Sequence, residues 1–180
     1  MTIKGFALAW IVAAATLATA CATMRTGSYL ERGADFSRYH TYAWGPADAL
    51  PIGDPRLDNN PIFRDYLQGA VERGLHRHNL VLIPDSERPD LLIHFHATVR
   101  QIFDVGAANH DHGASAANEI SVVDYDEGTL VIDMIDARDN RLVWRGWATD
   151  SVSGIVGSQE RMEKKLTEAV MTMLASFKPL

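Results

Sequence analysis

Two β-prone runs joined by a short polar turn, between Gly128 and Ser151, constrain this chain more than any other stretch. Thr129 to Asp136 is rich in Leu, Val, Ile and Met, and Arg141 to Thr149 carries Val143, Trp144 and Trp147. Ala137-Arg138-Asp139-Asn140 lies between them. Asp and Asn bond their own backbone and tolerate left-handed dihedrals, so this segment predicts the turn of a hairpin. Side chains alternate between the faces of a strand. With Asp136 opposite Leu142, Asp133 faces Arg145 and Val131 faces Trp147. Such charge pairs and ring-on-β-branched pairs each contribute about 0.2–1 kcal/mol. The same register gathers Leu130, Ile132, Met134, Leu142 and Trp144 on one apolar face. A one-residue slip would scatter that group. The face holding Asp133 and Arg145 is expected to be partly open, and the pair to be a surface ion pair rather than a catalytic one.

A length of 180 residues fits one domain with a real core. The net charge of −6 and the lack of a basic stripe argue against nucleic acid as a partner. The single cysteine, Cys21, excludes an internal disulfide.

That cysteine follows a targeting segment. Met1 to Ala20 begins with Lys4, continues as an almost unbroken apolar run from Gly5 to Leu17, and ends in small residues. It is too short and wrongly flanked for a lasting membrane span, and reads as a secretory signal. Leu17-Ala18-Thr19-Ala20-Cys21 resembles the lipobox of bacterial lipoproteins, although Leu17 stands one place further from the cysteine than usual. The resemblance implies that Cys21 is lipidated and becomes the first residue after cleavage. More than one acyl chain is needed for stable anchoring. Ala22, rather than Asp, follows the cysteine. By similarity to enteric sorting signals this favours the periplasmic face of the outer membrane. The bland alternative is an ordinary cleaved signal with Cys21 a chance free thiol. The expected organisation is residues 1–20 as signal, 21–34 as a lipidated tether, and 35–180 as a single domain.

Within that domain, Phe36 to Trp44 is aromatic, and its second half predicts a strand. Pro- and Asn-rich residues 47–60 predict a loop. Asn60-Pro61 is a helix start, followed by a stripe of Phe63, Leu67, Ala70, Val71, Gly74 and Leu75 that ends near Asn79. Leu80 to Ile83 and Leu91 to Arg100 predict strands. Asp104 to Asn118 predicts a loop, Glu119 to Tyr125 a further strand, and Asp126-Glu127-Gly128 a turn into the hairpin. After a linker at 151–157, Ser158 caps a last helix with the stripe Met162, Leu166, Ala169, Val170, Met173, Leu174 and Phe177. This order predicts an α+β fold: a mainly antiparallel sheet of about five strands with two helices packed on one face.

Three groups of residues together resemble a known family. They are Phe36, Tyr39 and Thr41-Tyr42-Ala43-Trp44; Asp90-Leu91-Leu92-Ile93 ahead of His96; and Glu127 to Asp133 with Asp136 and Leu142-Val143-Trp144-Arg145-Gly146. The chain is similar, from Phe36 to Phe177, to the bacterial lipoprotein family of the domain of unknown function 4136. The resemblance implies an α+β domain on a lipid anchor in the cell envelope. It carries over no catalytic residue.

Chemistry-bearing groups are sparse. His94 and His96 stand two apart on a strand, so both rings leave the same face, the spacing of two zinc or copper ligands. A third ligand has to come from elsewhere, such as His40 or an Asp. His110 and His112 share the expected loop, where binding has to order the backbone at about 1–2 kcal/mol per residue. His76 and His78 lie on nearly opposite sides of a helix and cannot share an ion. No Gly-x-Ser-x-Gly elbow, phosphate loop or His-Glu-x-x-His is present. The reading is a non-catalytic, lipid-anchored periplasmic protein without a cofactor. It would be held to the membrane through Cys21 and would present its domain to another envelope protein or a glycan. The alternative is a metal-binding protein or metal-dependent hydrolase using His94 and His96. A small-ligand carrier would need an apolar pocket between sheet and helices.

Overall fold

The computed structural model describes residues 24–46, 54–105, 122–155 and 157–177. They form one six-stranded sheet with helices on one face. The strands are β1 (Arg25–Leu30), β2 (Thr41–Trp44), β3 (Val81–Leu82), β4 (Leu91–Val105), β5 (Val122–Asp136) and β6 (Arg141–Ser151). The helices are α1 (Pro55–Asp58), α2 (Pro61–Arg77) and α3 (Gln159–Leu174). Spatial order is β1-β6-β5-β4-β2-β3. The α+β class and the helical layer agree with the sequence reading. The sheet is mixed, however: β1, β6, β5 and β4 run antiparallel, while β2 is parallel to both β4 and β3. Its strands number six rather than about five. The parallel pairing follows from α2, which carries the chain back over the sheet between β2 and β3.

Both long helices start where their caps dictate. The Asn60 side chain accepts from the backbone of Ile62 and Phe63 at 3.0 and 3.1 Å, with Pro61 in the first turn. Ser158 caps α3 through Arg161 N–H. Asn79, at φ 62°, turns the chain after α2. The apolar stripes of both helices are buried where the periodicity puts them. Gly74 brings the helices together, because a Cβ there would stand 2.4 Å from Leu174 Cδ1. Under them lies a core centred on Trp144, Tyr42, Ile132, Met134 and Phe177.

In the hairpin, Asp133 does face Arg145 and Val131 does face Trp147. A bulge beside Met134 and Ile135 then shifts the register, so Asp136 sits opposite Arg141, not Leu142. One extra residue on β6 buries both Val143 and Trp144, and Leu142 joins Ile135 on the other face. Leu142 therefore leaves the apolar group expected of it.

Four further expectations are corrected. Residues 25–30, assigned to a tether, form the edge strand β1 against β6. Asp126-Glu127-Gly128, expected as a turn, lies inside β5, which runs unbroken to Asp136. Asp104 belongs to β4, which continues to Val105 and pairs there with Val122. A short helix, α1, also stands within the segment expected as loop. Among the described residues no helix is long and apolar enough to cross a membrane.

Candidate functional site

The face of the sheet away from the helices holds the strand histidines. His94 lies opposite Asp133 on β5, and His96 lies opposite Val131. Their rings leave the same face, as the two-residue spacing requires. The His94 ring lies over Gly45, where a Cβ would meet Nε2 at 2.1 Å, so only glycine lets the ring fold down there. His94 is buried, and burial lowers its pKa below 6.5 against the opposing pull of Asp133. The Asp133 carboxylate is already occupied by Arg145, whose Nε and Nη2 each donate at 2.6 Å. His40 precedes β2, and the parallel pairing of Tyr42 with Leu91 and Trp44 with Ile93 places His94 level with Gly45. His40 is therefore roughly 16 Å from it along the strand. Among the described residues no group of three His, Cys, Asp or Glu side chains is placed to hold a metal ion. His110, His112 and Cys21 lie outside the described residues.

On the helix side, one end of the sheet opens into an apolar cleft of about 80 Å³. Its walls include Met24 before β1, Leu57 of α1, Phe63 of α2, Val99 of β4, Ile155 of the linker and Met162 of α3. The cleft is about half the size of a cavity that takes benzene. It suits a methyl-rich side chain or a short stretch of alkyl chain rather than a drug-sized ligand, which needs roughly 300 Å³ or more. One ion pair stands in its wall. Lys165 Nζ donates to Asp150 Oδ2, and the backbone N–H of Ser151 donates to Oδ1 at 2.7 Å. The Asp150 side chain is 6% exposed and that of Lys165 31%, so the lysine head reaches the rim. Sequence periodicity marks Met162 and Phe63 only as core positions. It gives no sign that Met24, Leu57 and Ile155 meet them.

A second polar cluster is structural. Asp136 is fully buried and accepts from Tyr39 Oη at 2.9 Å, from Arg138 N–H at 2.9 Å, and from Arg38. Burial pushes its carboxyl up, but these hydrogen bonds outweigh burial and hold its pKa below the usual 3.8. Asp90 accepts from the N–H groups of His40 and Thr41 and from the Thr41 hydroxyl, at 3.0–3.1 Å. Two acids thus fasten the segment before β2 to the hairpin turn and to the start of β4.

One sheet under one helical layer, fastened by the buried Asp136 and the half-buried Asp90 and leaving a small apolar cleft, defines a compact α+β domain. Residues 27–179 match the profile of the Domain of unknown function (DUF4136), and the chain belongs to that family. No curated protein matches the chain. A PDZ domain protein from Parabacteroides distasonis shares the fold over 87% of this chain at 18% identity and a TM-score of 0.50. This chain spans 35% of that protein. A DUF4136 family protein from Bacteroides thetaiotaomicron aligns over 86% of this chain and 95% of its own, at 11% identity and a TM-score of 0.47. The PelC dodecamer from Paraburkholderia phytofirmans aligns over 84% and 95%, at 10% identity and 0.47.

Proposed function

We propose that this chain is a non-catalytic, lipid-anchored protein of the bacterial envelope. Its domain binds an apolar group of another envelope component in the cleft between sheet and helices. The observation that carries this reading is Cys21, the lone cysteine, standing directly after the apolar run that ends in Ala20. The first strand begins at Arg25, only four residues further on. A domain tethered that closely stays at the bilayer surface, and Met24, a wall of the cleft, belongs to the same segment. Ala22 in place of Asp supports the periplasmic face of the outer membrane as the address. The cleft supports binding, because its lining is apolar and its one ion pair is internally satisfied. The metal reading gains no third ligand from the described residues.

Metabolic labelling with radioactive palmitate tests the anchor. The wild-type chain should incorporate label and the Cys21→Ser chain should not. Equal incorporation by both, or by neither, removes the basis of this reading.

A further inference from the structure

The two edges of the sheet are unlike. β3 is two residues long, which itself discourages strand addition. β1 is six residues long and carries no proline, lysine or bulge, the usual protections of an edge. It also exposes apolar surface, with Tyr29 46% and Leu30 50% accessible.

The hydrogen-bonding pattern shows which groups have no partner among the described residues. Glu31 N–H donates to Val143 O at 3.0 Å, and the constant β1–β6 register makes Glu31 and Val143 direct partners. In an antiparallel ladder bonded pairs alternate with non-bonded ones. Arg25, Gly27 and Tyr29 therefore bond to β6, and the N–H and C=O groups of Thr26, Ser28 and Leu30 point off the edge.

We propose that β1 pairs with β1 of a second copy, antiparallel, about a two-fold axis through Ser28. The two six-stranded sheets join into one. This register uses all the outward groups: Ser28 meets Ser28, and Thr26 meets Leu30 in both directions, each bonded pair exchanging two hydrogen bonds. Registers centred on Gly27 or Tyr29 leave one of these residues unmatched. The side chains agree with the same choice. Arg25 falls opposite Glu31 of the second copy, twice by symmetry. Tyr29 falls opposite Gly27, over which the chain's own Trp147 ring lies, Cζ2 2.2 Å from where a Cβ would stand, so the two rings have to meet there. To reach across, Arg25 has to share or leave Glu127, which it contacts at 2.6 Å with its side chain 73% exposed. Glu31 accepts from its own Tyr29 hydroxyl at 2.7 Å, which aims that carboxylate along the open face, the face Arg25 shares. A second copy is favoured over an unrelated strand because the edge is complementary to itself in charge and in bonding. A single strand pair buries little area, so association is expected to depend on concentration.

The test uses the full chain in a Cys21→Ser background, so that an introduced thiol is the only one. In the proposed dimer, Ser28 Cα atoms lie about 5.5 Å apart. Ser28→Cys should thus be crosslinked to a dimer by a short bismaleimide, and Thr172→Cys on α3 should not. Arg25→Glu and Glu31→Arg should each lower the yield roughly threefold, and the double variant should restore it. A purely internal role for Arg25 with Glu127 predicts no such rescue. Ser28→Pro removes only an outward N–H and leaves the β6 ladder whole. It should sediment as a monomer with an unchanged melting temperature. The proposal is overturned by a wild-type monomer at about 1 mM, by equal crosslinking at Thr172→Cys, by failure of the charge-swapped pair to recover, or by capture of a partner of different mass.

Discussion

The Tyr39 hydroxyl donates to the Asp136 carboxylate at 2.9 Å, a bond that closes 97 residues of chain. Tyr39 follows the single turn of 3-10 helix at Phe36–Arg38, and Asp136 ends β5. The ring of Phe36 packs edge-on against both Tyr39 and Phe177, at 5.6 and 5.2 Å between centroids. The aromatic motif ahead of β2 and the acidic end of the hairpin strand are thus one physical unit. It holds the start of the domain, the central hairpin and the end of the last helix together.

Removing the acid should be worse than removing the hydroxyl. Asp136→Ala leaves the Tyr39 hydroxyl and the Arg138 N–H without their acceptor, each at about 1–3 kcal/mol, while Arg38, 40% exposed, returns to solvent. Tyr39→Phe forfeits the bond donated to Asp136 and the one accepted from the partly exposed Arg38 at 3.0 Å, together about 1.5–3 kcal/mol. The depressed pKa of Asp136 also gives a direction with pH: its stabilisation is present above about pH 4 and is lost as pH falls through the folded value. Urea unfolding of both variants at neutral pH gives the ranking. A smaller loss for Asp136→Ala than for Tyr39→Phe would contradict it.

Much of this unit was legible in the sequence, but not its closure. Stripes such as Leu67, Val71 and Leu75 follow helical geometry directly. The Asp133–Arg145 pairing follows from the hairpin register read from the sequence, and it holds on the near side of the bulge although Asp136 lies opposite Arg141. The bulge that buries Val143 has no local signature, because it satisfies the core rather than the hairpin. β1 reads as a polar tether since an edge strand borrows its order from β6, not from its own composition. Gly128 looked like a turn. Its glycine serves instead a close approach, since a Cβ there would stand 2.6 Å from Val152 Cγ1. At the candidate site, the shared face of His94 and His96 was readable from spacing. The cleft was not, because Met24, Leu57 and Ile155 come from segments without periodicity.

Two glycines on β1 and β6 should respond very differently to a single methyl group. At Gly146 a Cβ would meet Trp144 Cη2 at 2.3 Å, and Trp144 is fully buried with nowhere to move. Gly146→Ala should cost about 1–3 kcal/mol through overpacking. At Gly27 a Cβ would meet Trp147 Cζ2 at 2.2 Å, yet Trp147 is 38% exposed and its ring can swing outward. Gly27→Ala should cost under about 1 kcal/mol. Thermal denaturation of the two variants decides the matter, and similar losses would show that burial of the ring is not what sets the cost.

His94 should make stability depend on mild acid. Burial lowers the folded pKa from the ordinary 6.5. As pH falls, the unfolded chain takes up this proton first. The contribution of a neutral His94 is therefore complete above about pH 6.5, declines below it, and levels off under the depressed folded value. The slope in that window cannot exceed about 1.4 kcal/mol per pH unit for one group. His94→Gln keeps a polar side chain without the titration. Its unfolding free energy should fall less between pH 7 and pH 5 than that of the wild-type chain. Parallel curves for the two proteins would mean that His94 does not titrate in this range.

The cleft wall poses the sharpest energetic question, because a nearly buried carboxylate there leans on a partly solvated lysine. Lys165→Met removes the cation and leaves Asp150, 6% exposed, in apolar surroundings beside Leu130 and Ala148. Breaking the pair removes a hydrogen bond between charged groups and should cost about 1.5–3 kcal/mol. Asp150→Asn alone keeps an acceptor for the Ser151 N–H, bonded at 2.7 Å, and should cost less. The double variant carries neither charge at this place and has a side chain that matches the apolar walls. It should be more stable than Lys165→Met alone, with a coupling of about 0.5–3 kcal/mol. A fluorescent alkyl probe should also bind the double variant more tightly than wild type, since the rim no longer holds an ammonium group. Additive losses in the cycle would show that the pair stands at the cleft without acting on it, and unchanged probe affinity would place alkyl binding elsewhere on the domain.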